Sequence, residues 1–193
     1  MMNINGNLPQ KRSSVISLNR DIALILEILL IIMGGALAAY MHFKLKIPLN
    51  IPGHHGLEFM AIFMLIRLES SLKYAATVAT LGVGLFFLIP GMGAGTPLHS
   101  LGYMLPGIIL DLLYRFMGGR AHIVIIAAMV AGLSYMSIPL SRLFIQLSSG
   151  YHFMAFIKFG IMYTMLSFFF FGFLGGTLGY GLSSIKSKLK QAK

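Results

Sequence analysis

Long apolar runs separated by short polar, Pro-bearing or Gly-bearing breaks set the rhythm of the chain. The first run, roughly 21–43, ends in a polar segment with Lys44, Lys46, Pro48, Asn50, Pro52 and Gly53. A short second run, roughly 54–68, closes on Arg67, Glu69, Ser70, Ser71 and Lys73. The third, roughly 72–89, stops at Pro90 before a Gly-rich loop, 91–97, of the kind that punctuates structure. The fourth, roughly 98–116, carries Pro106-Gly107 and leads to a turn at Gly118, Gly119 and Arg120. The fifth covers roughly 121–140. A semi-polar connection, 141–150, leads to the sixth, roughly 151–182, and a tail with Lys186, Lys188, Lys190 and Lys193. These runs are continuous, not alternating, so they read as helices rather than barrel strands. The pattern predicts an all-α membrane protein, a bundle of six transmembrane helices. A polar N-terminal segment 1–20, a single transmembrane domain 21–185 and a basic tail 186–193 complete the expected organisation. The first apolar run is too long for a signal-peptide core and reads as a retained span.

Composition agrees with the pattern and narrows the class. Of 193 residues, 57% are hydrophobic and only 10% charged, with a mean hydropathy of +0.83. A soluble domain is about one quarter charged, and one of this size could not hide so much apolar surface. A soluble globular domain, a disordered chain and a conventional nucleic-acid binder are excluded on that ground. The absence of cysteine removes disulfides and thiolate chemistry.

The 15 basic residues outnumber the 5 acidic ones, for a net charge of +10. With the N-terminus inside, eleven basic residues fall on inner segments: Lys11, Arg12, Arg20, Arg67, Lys73, Arg115, Arg120 and the four tail lysines. Four fall outside: Lys44, Lys46, Arg142 and Lys158. Basic residues collect in cytoplasmic loops, so both termini are expected to be cytoplasmic. The charge then reports orientation and requires no nucleic-acid partner.

Polar residues inside such a chain are the candidates for function. The densest cluster is 47–58, with Asn50, His54, His55 and Glu58 near the outer face. His54 and Glu58 are i,i+4, and His55 and Glu58 are i,i+3, so either pair shares a helix face. Three readings compete here: polar contacts to an organic ligand, a metal site of imidazole and carboxylate, and a structural cluster at a helix start. His99 and Tyr103 open the fourth run from the same side, and Lys158 enters the sixth run from it. Lys158 points either to an ion pair with Glu58 or to an anionic substrate. Thr96, like Asn50, is a lesser candidate. Asp111 and Arg115 are spaced for an i,i+4 ion pair, with a proton relay as the sharper alternative. Glu27 is expected to contact another helix or subunit, and His42 and His122 to be structural. The run Phe168–Phe171 covers all faces of a helix and reads as core and lipid packing.

Small residues at Gly34/Ala38 and Gly35/Ala39 lie on one face of the first helix and permit close approach of another helix. That neighbour is either within this chain or a partner subunit. Gly172/Gly176 and Gly175/Gly179 repeat the spacing in the sixth run. Missing motifs count as well. No phosphate-binding Gly-x-x-x-x-Gly-Lys-Ser/Thr loop, no His-Glu-x-x-His and no Gly-x-Ser-x-Gly occurs.

The chain resembles the substrate-binding S component of energy-coupling factor (ECF) vitamin transporters over most of its length. The resemblance rests on Met33-Gly-Gly-Ala-Leu-Ala-Ala39 and on the outer loop Ile47-Pro-Leu-Asn-Ile-Pro-Gly-His-His-Gly56. It rests also on Leu105-Pro-Gly-Ile-Ile-Leu-Asp-Leu-Leu-Tyr-Arg115 and on Phe171-Gly-Phe-Leu-Gly-Gly-Thr-Leu-Gly179. It implies a multi-pass protein of a bacterial or archaeal plasma membrane. That protein binds a small water-soluble micronutrient and is not itself an enzyme. The implied partners are a transmembrane coupling subunit and two ABC-type ATPases that hydrolyse ATP, with no cofactor in this chain. By the resemblance, Asn50, His54, His55, Glu58, His99, Tyr103 and Lys158 line the substrate pocket. Gly34, Gly35, Ala38 and Ala39 contact the coupling subunit. The start Met1-Met-Asn-Ile lacks the Met-His of the nickel and cobalt members, which disfavours a metal substrate. An intramembrane enzyme or metal protein built on His54, His55 and Glu58, and a structural membrane protein, are the alternatives.

Overall fold

In a computed structural model, the structure describes residues 10–45, 50–92, 101–118 and 123–191, with side chains described within 19–189. Among the described residues the fold is all-helical and contains no strand. The helices are α1 (Gln10–Lys44), α2 (Gly56–Glu69), α3 (Ala75–Leu88), α4 (Leu105–Met117), α5 (Val124–Tyr135), α6 (Ser137–Ser149), α7 (Met154–Phe159) and α8 (Ile161–Gln191). Three stretches are long and apolar enough to cross a membrane: Asn19–Lys44, Val124–Ser149 and Ile161–Leu189. The surface is itself apolar. Leu26, Leu30, Met33 and Leu37, spaced along one face of α1, are all more than half exposed. Water-soluble proteins rarely show such a continuous stripe, which is consistent with a helix face that meets lipid.

Pairwise contacts fix the direction of each helix. Gly34 of α1 meets Ile66 of α2, while His42 meets Phe59, so α1 and α2 are antiparallel. α3 lies parallel to α1, since Gly35 meets Ala79 and Tyr40 meets Phe86. α4 returns along α3, with Gly107 at Thr80 and Asp111 at Thr77. α8 is parallel to α2, with Gly175 against Leu57 and Gly179 against Ala61. It is antiparallel to α5, with Gly172 at Tyr135 and Gly176 at Ala128. One end of the bundle therefore gathers His42, the 51–55 turn, Tyr103 and Arg142. This is the histidine end. The opposite end carries Glu27, Arg67 and Asp111.

The small residues are used inside this chain. A Cβ on Gly35 would stand 1.8 Å from the Ala79 carbonyl oxygen, and one on Gly82 would stand 1.8 Å from that of Ile32. The α1 and α3 backbones therefore touch, and Ala38, Ala39, Ala75, Ala76 and Ala79 fill the seam at 0–1% exposure. The glycines of α8 do the same against α2 and α5. Of the two neighbours that the spacing of Gly34, Gly35, Ala38 and Ala39 allows, helices of this chain are packed there: α2 and α3 cover the face. Periodicity locates a close-approach face but does not name the neighbour.

Four boundaries differ from the pattern. The segment 1–20 is helical from Gln10 onward, so α1 begins within it. The basic tail is helical through Gln191. The 141–150 connection is also a helix, α6, joined to α5 through Met136 in α conformation. Its polar residues do not break it, since Ser141, Ser148 and Ser149 donate to the carbonyls of Ile138, Phe144 and Ile145. Such back-bonding satisfies serine within a helix. The sixth run is divided instead, at Gly160 with φ +80°, into α7 and α8.

Candidate functional site

A tight turn builds the histidine end. Gly53 adopts φ +80°, and its carbonyl accepts the Gly56 N–H at 2.8 Å, closing the chain into α2. Ser167 Oγ donates to the Pro52 carbonyl at 2.5 Å, which ties the turn to α8. His54 Nδ1 donates to the Ile51 carbonyl at 2.7 Å. A Cβ on Gly53 would lie 2.5 Å from the Phe168 ring. Gly53→Ala therefore faces both a left-handed backbone cost of about 1–2 kcal/mol and a clash. Its expected result is a displaced turn, read as faster proteolysis or hydrogen exchange across 50–56 with α3–α4 unchanged.

Behind the turn, His55 Nδ1 donates to Glu58 Oε1 at 2.5 Å. Glu58 sits in the first turn of α2, where a carboxylate also meets the positive end of the helix dipole. Its partner is the i,i+3 histidine. His54 and His55 rings lie 4.0 Å apart, and His42 of α1 lies 5.1 Å from His55 and 4.7 Å from Tyr103. Tyr135 of α5 crosses Gly56, where a Cβ would come within 2.3 Å of its ring. It stacks on Phe168 at 5.0 Å. Tyr103, Arg142 and Glu58 are all within electrostatic range of Tyr135, and His54, His55 and Arg142 within range of His42. Arg142 of α6 donates to the Tyr103 hydroxyl at 2.7 Å and spreads its guanidinium near the Tyr103, Phe153 and Phe168 rings.

Four buried polar atoms of this cluster have no hydrogen-bond partner: His42 Nδ1, His54 Nε2, Glu58 Oε2 and the Tyr135 hydroxyl. Leaving such a group unsatisfied costs about 1–3 kcal/mol, and protein interiors rarely tolerate several together. Glu58 is 8% exposed and Tyr135 fully buried. Among the described residues no group of three or more His, Asp or Glu side chains is placed to hold a metal ion. No family model, curated protein or solved structure matches this chain. The site must therefore be read from its own chemistry.

Of the expected pocket residues, His54, His55, Glu58 and Tyr103 converge here. Asn50 and Lys158 do not join them. Lys158 Nζ lies 3.3 Å from Asn50 Oδ1 on the exposed rim and near the Phe159 ring. The expected Glu58–Lys158 pair is thus replaced by His55–Glu58, because α7 holds Lys158 outward. His99 and Thr96 fall outside the described residues, as does His122. Sequence reasoning missed His42, Tyr135 and Arg142. Arg142 was a marker of topology and His42 an edge residue, and only a helix continuing through 141–150 puts Arg142 two turns beyond Tyr135.

At the opposite end the polar groups pair among themselves. Asp111 does not take Arg115, as i,i+4 spacing predicts. It takes Arg67 at 3.2 Å and the Thr77 N–H and hydroxyl at 2.6 and 2.8 Å. Asp111 faces inward while Arg115 is exposed and bonds Tyr74. Glu27 accepts from Ser70 and Ser71, so it is a helix-contact residue within the chain. An open groove of about 650 Å³, lined mainly by Leu26, Leu30, Ile31, Leu65 and Ile66, runs between α1 and α2 beside Glu27.

Proposed function

We propose that the chain is a membrane-embedded binding subunit, the S component of an ECF-type importer. In this reading α1, α2, α3, α4, α5–α6 and α7–α8 make six membrane passes with both termini cytoplasmic. The histidine end faces outward and captures a small water-soluble micronutrient. A transmembrane coupling subunit and two ABC-type ATPases supply the driving force, and the chain itself catalyses no reaction and carries no cofactor.

The observation that carries the reading is the set of four unpartnered polar atoms at one end of an apolar bundle. A bound polar molecule can satisfy all four at once, taking the place of the ordered water that would otherwise hydrate them. The charge distribution supports the orientation. Arg20, Arg67, Lys73, Arg115, Lys186 and Lys188 belong to the Asp111 end, against Lys44, Arg142 and Lys158 at the histidine end, and basic residues favour the cytoplasm. The lack of any phosphate-binding loop means that energy must come from elsewhere. The coupling subunit then meets the uncovered stripe of α1, Leu26, Leu30, Met33 and Leu37, in place of the small residues that α3 occupies.

The test is uptake. The full chain, reconstituted with a coupling subunit and two ATPases, should accumulate one labelled water-soluble vitamin in an ATP-dependent manner. Accumulation should fall at least tenfold in Glu58→Ala. Failure to accumulate any of a complete vitamin panel, with the assembly intact by size exclusion, would refute the reading.

A further inference from the structure

We infer that the histidine-end site selects a neutral, flat heteroaromatic molecule presenting N–H donors to Glu58 Oε2 and His54 Nε2, and rejects organic anions. The inference deepens the binding-subunit reading and rests on it. It follows from an inventory of donors and acceptors. An ionised carboxylate only accepts, and Glu58 Oε1 is already taken by His55, so Oε2 is the oxygen available to a ligand. The Ile51 carbonyl can only accept, so His54 Nδ1 carries its proton; in the neutral ring this leaves Nε2 as an acceptor. The Tyr135 hydroxyl can donate or accept and adapts to either. His42 Nδ1 likewise donates or accepts according to the ring's tautomer, so two acceptors with two adaptable groups favour a ligand that brings N–H donors.

Charge and shape narrow the class. Glu58 brings one negative charge. Arg142, a cation of the same end, is committed to the Tyr103 hydroxyl and to aromatic faces. Lys158 is on the exposed rim with Asn50. Among the described residues, then, Arg142 and Lys158 are engaged elsewhere and Lys44 is exposed, so none of them offsets the repulsion of an incoming anion by Glu58. The surrounding side chains are planar: Tyr135 stacks on Phe168, Phe59 lies 6.0 Å from Tyr135, and Phe171 lies 6.5 Å from His54. A flat ring packs against the edges of such side chains in offset or edge-on geometry.

The full chain in lipid nanodiscs can be titrated calorimetrically with matched probes. Cytosine and 4-aminopyrimidine supply the donors. Their N,N-dimethyl counterparts keep the ring and lose the exocyclic N–H groups. Nicotinate and pantothenate are the anions. The expected result is binding of the donor probes at least tenfold tighter than of the dimethyl forms, with no binding of the anions. Glu58→Gln keeps an oxygen for His55 but turns an NH2 group toward the ligand, and should weaken the donor probes at least tenfold. His54→Phe preserves a ring and removes Nε2, giving an independent loss if the first variant does not fold. Equal binding of dimethyl and donor probes, or preference for an anion, would overturn the ligand class while leaving the binding reading intact. Absence of binding by every probe also overturns the class. In that case vitamin uptake by the reconstituted assembly decides whether the binding reading falls with it.

Discussion

Asp111→Ala is expected to remove about 3–5 kcal/mol of stability, the usual cost of breaking one side of a buried ion pair. The Asp111 side chain is 0% exposed and that of Arg67 13%. Removing the carboxylate leaves the largely buried Arg67 charge with the Leu72 and Lys73 carbonyls and the face of the Tyr114 ring, and no anion. The carboxylate has a second task. Thr77 is the third residue of α3, and its N–H is one of the donors that a helix start leaves unpaired. Tyr74, at the cap position, makes no side-chain capping bond. Asp111 caps α3 from another helix, at 2.6 Å to that N–H. The loss should appear in detergent as a lower midpoint of thermal or SDS-induced unfolding. The paired replacement Arg67→Met with Asp111→Leu should recover most of it. Apolar residues of similar volume often substitute for a buried ion pair, leaving a cap deficit of about 1 kcal/mol. A single Asp111→Ala variant as stable as the parent would show that the pair carries no net stability.

The same residue shows where the sequence is legible. Apolar runs announce helices because every backbone group in lipid must bond within its own segment. All-α architecture and most segment breaks could therefore be read directly. Side-chain partners could not, because local spacing competes with packing. Asp111 and Arg115 are good i,i+4 neighbours on an isolated helix, but α4 turns Asp111 toward α2 and α3. Glu58 and Lys158 are natural partners by sign, but the glycine at 160 ends α7 early and leaves the lysine on the rim. The polar cluster around His54, His55 and Glu58 was legible because three ionisable residues in five positions stand out in an apolar chain. His42, Tyr135 and Arg142 were not. Each is isolated in sequence, and only the antiparallel pairing of α1 with α2, the packing of α5 against α8 and the continuation of α5 into α6 bring them together.

Gly35→Leu is expected to cost about 3 kcal/mol or more, at the upper end of what overpacking produces. The contact is backbone on backbone: a first side-chain carbon would meet the Ala79 carbonyl oxygen at 1.8 Å and its carbonyl carbon at 2.7 Å. Neither atom can rotate away, so α1 and α3 must separate. Separation opens the alanine seam along Ala38, Ala39, Ala75, Ala76 and Ala79, and each opened gap forfeits dispersion contacts. Gly34, one residue earlier on the same stripe, supplies the control. Its added carbon would meet the Ile66 Cδ1 atom at 2.9 Å, the far end of a flexible side chain, so Gly34→Ala should cost less than about 1 kcal/mol. Unfolding midpoints of the isolated chain, without any partner present, separate two roles for the stripe. A large loss at Gly35 and a small one at Gly34 belong to packing within the chain. If both variants instead keep full stability alone and fail only when a coupling subunit is added, the stripe is an interface between subunits and α3 must yield its place to the partner. The reciprocal contact of Gly82 with the Ile32 carbonyl makes that exchange costly. α3 would have to withdraw from two backbone contacts at once.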